Sequence, residues 1–137
     1  MKIPRGIRNN NPLNIRKGNN WQGERHPQTD KDFEEFESIT MGFRAAFKLL
    51  KNYMSPNNGL RRECDNLEKI IRRWAPEVEN ATENYIHFVS DTTGIHRLEK
   101  LRFSDRDKMC RIVQAMAIVE CGVRIDLSTI ESGYDLV

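Results

Sequence analysis

The chain has 137 residues and a mass of 16.0 kDa, with 38% hydrophobic and 31% charged residues, a formal net charge of +2 and a mean hydropathy of −0.69. That length suits one domain, 1–137, able to bury a core without disulfide or metal staples, and the near-neutral balance argues against a composition-driven nucleic-acid binder. No run approaches the roughly 18 consecutive apolar residues of a membrane span, and the widely spaced Cys64, Cys110 and Cys121 read as reduced thiols.

Residues 1–32 are rich in turn formers: Asn9-Asn10-Asn11-Pro12, Gly18-Asn19-Asn20, Gly23 and Pro27. The opening stretch is basic but lacks the apolar centre of a signal peptide, so synthesis in the cytoplasm is expected. Leu13-Asn14-Ile15-Arg16 alternates like a short half-buried strand, and Asp32–Ser38 is a second strand candidate despite phenylalanines three apart. Together they predict a small β lobe over about 9–38.

Beyond it the period turns helical. Met41, Ala45 and Leu49, with Ala46, Leu50 and Tyr53, form an amphipathic stripe over about 40–53, closed by Ser55-Pro56-Asn57-Asn58-Gly59. Asp65 and Glu68 read as a capping box before Leu67, Ile70, Ile71 and Trp74, and Pro76 stops that helix. Asn80 and Glu83 repeat the cap pattern ahead of Tyr85, Ile86, Phe88 and Val89. Ser104 opens a long helix over about 105–121, with Gly122 placed to end it. The pattern predicts a mostly α, α+β domain: the β lobe, a helical lobe over about 40–125 and a C-terminal tail, 126–137.

Within the last long helix, Met109, Val113 and Met116 fall within about 40° of Glu120 at roughly 100° per residue. The apolar stripe thus ends in a carboxylate in the final turn. Partial desolvation and the negative end of the helix dipole both oppose ionisation there, as a general acid near neutral pH requires. The competing reading is a Glu emerging into solvent at a frayed helix end. Tyr85, early in its helix, either places its hydroxyl in a groove or lies at the rim of the core. Asn9, Asn10, Asn11 and Asn14 suit sugar hydroxyls but are also common loop fillers. Trp21 beside Gly23 is either a stacking platform for a pyranose or an anchor for the hairpin. Glu34, Glu35 and Glu37 read as a solvated face from which one member can turn into a cleft.

Other chemistries find little support. His26, His87 and His96 have no metal-ligand spacing, and no GxSxG, P-loop or GxGxxG occurs. A Cys nucleophile with a His partner stays open for a peptidase, although Cys110 and Cys121 sit where an inert buried thiol is expected. The pairs Arg61-Arg62 and Arg72-Arg73 read as solvated helix faces.

Taken together, Arg5 to Arg16, Trp21-Gln22-Gly23, Phe33–Ser38, Gly42-Phe43-Arg44-Ala45, Arg73-Trp74-Ala75-Pro76 and Glu79-Asn80-x-Thr82-x-x-Tyr85 resemble a phage and prophage family. Its members are described as virion structural proteins or lysins with a lysozyme-like fold. More distantly, the chain is similar to the bacterial peptidoglycan glucosaminidases. Asn10 to Arg16 matches their N-N-L-F-G-I-K strand, Trp21-Gln22-Gly23 their W-x-G, and Ala81 to Tyr85 their A-T-x-x-x-Y motif with one residue missing. Only eight residues precede Asn9, too few for the helix that carries the glucosaminidase Glu. Ala115 to Gly122 instead looks like the A-x-x-x-x-E-S-G helix end of lysozyme-like enzymes, with Cys121 where Ser is usual. The resemblance therefore implies a circular permutation, with Glu120 folding back beside the N-terminal strand.

What the resemblance implies is a lysin cleaving the β-1,4 glycosidic bonds of peptidoglycan. Glu120 would be the acid and Tyr85 the group that positions substrate, with Asn11, Asn14, Trp21, Asn80 and Thr82 holding the sugars. Glu37, Glu34 and Glu24 are the candidates for a second carboxylate, on which the choice between water and internal attack depends. No metal and no organic cofactor are implied. The expected partner is the peptidoglycan glycan strand, without nucleic acid or membrane insertion, for a monomer made in the bacterial cytoplasm and reaching the wall by lysis or in a virion. Two rivals stand beside this reading: a lytic endopeptidase acting on the peptide stem, and a non-catalytic virion or wall-binding protein.

Overall fold

A computed structural model describes residues 2–55, 63–76 and 78–137 of the chain. The expected stop at Pro56 to Gly59, the pair Arg61-Arg62, and Glu77 lie outside the described residues. Arg5–Arg8 forms a single helical turn, α1, within the stretch expected to be loop. The stripe over 40–53 becomes α2, Ile39–Met54, with Phe43, Ala46, Phe47 and Leu50 fully buried at helical spacing. Its start is closed by the Ser38 hydroxyl, which accepts from the Met41 N–H at 3.2 Å.

The later helices are α3 (Leu67–Trp74), α4 (Glu79–Thr93), α5 (Arg106–Cys121) and α6 (Leu127–Asp135). Their caps correct the sequence reading by one or two residues. Asn66, not Asp65, accepts from the Lys69 N–H at 2.9 Å. Asp105, not Ser104, caps α5 through the Lys108 N–H at 3.2 Å. At α4 the cap position is Val78, without a side-chain bond. Glu83 instead ion-pairs with Arg72 and Arg97, tying α4 to α3 and to the loop after α4. Both α4 and α5 end on glycines in the left-handed region, Gly94 at φ 73° and Gly122 at φ 76°.

Residues 126–137 are a packed element, not a tail. Helix α6 lies along α2 and also touches α5. The approach is close because position 133 lacks a side chain: a Cβ on Gly133 would stand 2.6 Å from that of Phe43. Around this crossing Phe47, Phe103 and Tyr134 stack edge and face, with Phe103 and Tyr134 centroids 5.2 Å apart.

The expected α+β fold with a β lobe does not form. Among the described residues there is no strand or sheet, only isolated antiparallel bridges, Arg16 to Phe33 and Glu24 to Phe36. The lysozyme-like architecture and the permutation implied by resemblance fall with that lobe. The physical reason is that backbone pairing stops after a bond or two, as where the Glu34 N–H donates to the Ile15 carbonyl and the Lys17 N–H to that of Asp32, and side chains bond the backbone groups around it. The Asn11 amide donates to the carbonyls of Ile15 at 2.9 Å and Glu34 at 3.0 Å and accepts from the Ile15 N–H at 2.9 Å. The Gln28 amide bonds both the N–H and the carbonyl of Glu35. Glu35 turns inward, where its carboxylate accepts from the backbone of Thr29 and Asp30. Asp30, also buried, receives Arg5 at 2.6 Å and Asn9 at 2.9 Å. The segment 9–38 is thus a buried polar network wrapped over the start of α2. No helix among the described residues is long and apolar enough to cross a membrane.

Candidate functional site

Glu120 occupies the last turn of α5, directly above the buried stripe of Met109, Val113 and Met116. Half-buried there, it lines an open cleft of about 490 Å³ together with Tyr85, Asn14, Thr82, Trp74 and Tyr53. Burial raises its carboxyl above the usual range; the donor groups of Tyr85, Asn14 and Trp74 nearby pull the other way. A carboxylic acid that faces open space and holds its proton to higher pH than usual is equipped to protonate a leaving group.

Tyr85 projects from α4 and is buried up to its hydroxyl, which has no partner at hydrogen-bond distance. Burial, then the neighbouring Glu120 charge, pushes its ionisation well above the ordinary value, so the phenol keeps its proton. Asn14 reaches the same point from the other end of the chain. Its backbone adopts φ 53°, a left-handed conformation that Asn tolerates, and its amide donates to the Glu120 carbonyl at 3.0 Å. Space for this contact depends on Gly6 in α1, where a Cβ would stand 3.0 Å from that of Cys121.

The remaining candidates scatter. Asn11 is fully buried and spends its amide on the loop backbone. Trp21 packs against the core with its indole N–H enclosed, outside the cleft lining. Asn80 is exposed in the first turn of α4 and also lies outside the lining. Thr82 does line the cleft, but its hydroxyl donates to the Ala75 carbonyl at 2.5 Å. Among the described residues Glu120 is the sole carboxylate of the lining. Glu37 points to solvent, and Glu24 accepts from the Trp21 N–H at 2.7 Å. Glu34 is buried elsewhere, its carboxyl raised by burial and by Glu24. Thiol chemistry is disfavoured at two positions, since burial raises Cys121 and pushes Cys110 up to about 11.

Sequence reasoning missed the aromatic and basic walls. Tyr53 and Trp74, with centroids 5.9 Å apart, and Phe33 line the cleft, as does Arg16. Tyr53 and Trp74 end amphipathic stripes, a pattern shared by core residues and cleft walls, so periodicity alone does not separate the two.

No family model matches the chain. Over 122 residues, 86% of this chain and 71% of the relative, it is 42% identical to Protein P5 of Pseudoalteromonas phage PM2. The chain belongs to the P5 family. That membership places it with a phage protein, the coarse part of what the sequence motifs implied, and the name P5 carries no reaction.

Proposed function

We propose that this member of the P5 family cleaves β-1,4 glycosidic bonds of peptidoglycan, in the manner of a lytic transglycosylase. The observation that carries the reading is the half-buried Glu120, its carboxyl raised, facing a cleft beside the Tyr85 hydroxyl with no second carboxylate among the described lining residues. Aromatic walls at Tyr53 and Trp74 with an amide edge at Asn19 suit pyranose rings.

In this scheme Glu120 gives its proton to the glycosidic oxygen and the bond from that oxygen to the anomeric carbon breaks. The muramyl 6-hydroxyl then attacks the anomeric carbon, and its proton returns to Glu120, leaving a 1,6-anhydro end. One carboxyl group serves both proton transfers, whereas attack by water on the opposite face calls for a second carboxylate. Tyr85 donates its hydroxyl proton as a hydrogen bond to substrate oxygen near the anomeric carbon.

The test compares wild type with Glu120→Gln on purified sacculi, with fragments identified by mass spectrometry. Anhydro-muramyl ends from wild type, lowered about 10²- to 10⁴-fold in the variant, are expected for loss of a general acid. Reducing sugar ends would replace the transglycosylase with a hydrolase. New amino groups without sugar ends select the endopeptidase, and wild type that binds without releasing fragments selects the virion or wall-binding role.

A further inference from the structure

Two charged residues line the cleft among those described, Arg16 and Glu120. When Glu120 carries its proton, Arg16 is the charge that remains, and the cleft is cationic. The Arg16 guanidinium lies 5.0 Å from the centre of the Phe33 ring, a second wall residue. Arg5 sits on the same ring at 4.6 Å but is committed to Asp30 and Asp32. Arg16 has no carboxylate within ion-pair distance among the described residues, and its backbone is fixed by the bridge to Phe33. A planar cation braced on an aromatic ring at the wall of a cleft, with its donors unspent, fits a carboxylate on the bound molecule.

Resting on the function proposed above, we infer that Arg16 is a specificity residue that selects glycan strands still carrying their peptide stems, by binding a stem carboxylate. Glycan stripped of its stems keeps only the lactyl carboxylate close to each muramyl ring and forfeits the contact to the stem. Phe33 acts by holding the guanidinium over the cleft.

Binding is measured separately from cleavage. Affinity of non-cleaving Glu120→Gln protein is measured in solution by calorimetry, for soluble uncross-linked glycan strands that carry stems and for the same strands freed of stems by an amidase. A preference of about tenfold for the stem-bearing form is expected, the value of one charge-assisted hydrogen bond. Adding Arg16→Gln should abolish the preference, and Arg16→Lys, which keeps the charge but not the planar fork, should retain part of it. Equal binding to both forms, or a preference that survives Arg16→Gln, overturns the inference. An Arg16-dependent preference in a protein whose wild type releases no sugar ends would leave this inference standing and remove the catalytic reading.

Discussion

The Asn14 side-chain amide donates to the Glu120 carbonyl at 3.0 Å and lies 3.4 Å from its carboxylate, joining positions 106 residues apart. This contact seats the candidate acid against the loop that follows α1. It also acts on ionisation, because a donor favours the charged carboxylate and so opposes the upward pull of burial.

Asn14→Gly preserves the φ of 53° while deleting the amide. Glu120 should then hold its proton to higher pH, moving the alkaline limb of the activity profile upward. The shift should stay below about one unit, the equivalent of 1.4 kcal/mol, because the contact to the carboxylate is long. Asn14→Ala should behave alike in activity but lose about 1 kcal/mol more stability, as a Cβ is strained in the left-handed region. A downward shift in both variants would remove Asn14 as the donor.

Tyr85→Phe deletes a buried hydroxyl without a partner at hydrogen-bond distance. Stability in urea should change by less than about 1 kcal/mol, since no made bond is lost. Under the proposed function fragment release should nonetheless fall at least about tenfold, because the hydroxyl lies beside the Glu120 carboxyl at the cleft wall. Equal activity of the two proteins would confine Tyr85 to packing.

Asp30 is held far below the usual carboxylate range, first by Arg5 and then, against the cost of burial, by Asn9 and the N–H groups of Phe33 and Asp32. A depressed folded-state value means that the stabilisation is present above the unfolded value near 3.8 and is lost as pH falls below it. Asp30→Ala should cost about 3 kcal/mol at pH 7, by stranding buried donors, and the difference from wild type should shrink between about pH 4 and pH 2. Urea melts at stepped pH values measure this.

Gly42→Ala tests how α2 meets the first loop. A Cβ there would stand 1.9 Å from the Asn10 carbonyl oxygen, and main chain cannot step aside cheaply. The expected loss is about 3 kcal/mol or more. Gly94→Ala, in open space at φ 73°, should cost only about 1 kcal/mol.

Helices α2 and α5 are legible because their apolar residues repeat at the helical period over 16 residues each. Helix α6 is not: Ser128, Thr129, Ser132 and Gly133 are poor helix formers, and the element is held by its packing on α2 and α5. Leu13 to Arg16 alternates as a strand does and so suggests a β lobe, while the backbone N–H and carbonyl of Ile15 are bonded by the Asn11 amide four residues earlier.

The site divides along the same line. The helical period alone places Glu120 at the end of an apolar stripe and Tyr85 early in a helix. Packing of distant segments brings these two into one cleft with Asn14 and Arg16 and leaves Asn11, Trp21 and Asn80 outside it. An asparagine beside a turn has the same composition whether its amide closes a loop or faces a substrate. The choice is made by which distant backbone groups need a partner once the chain has packed.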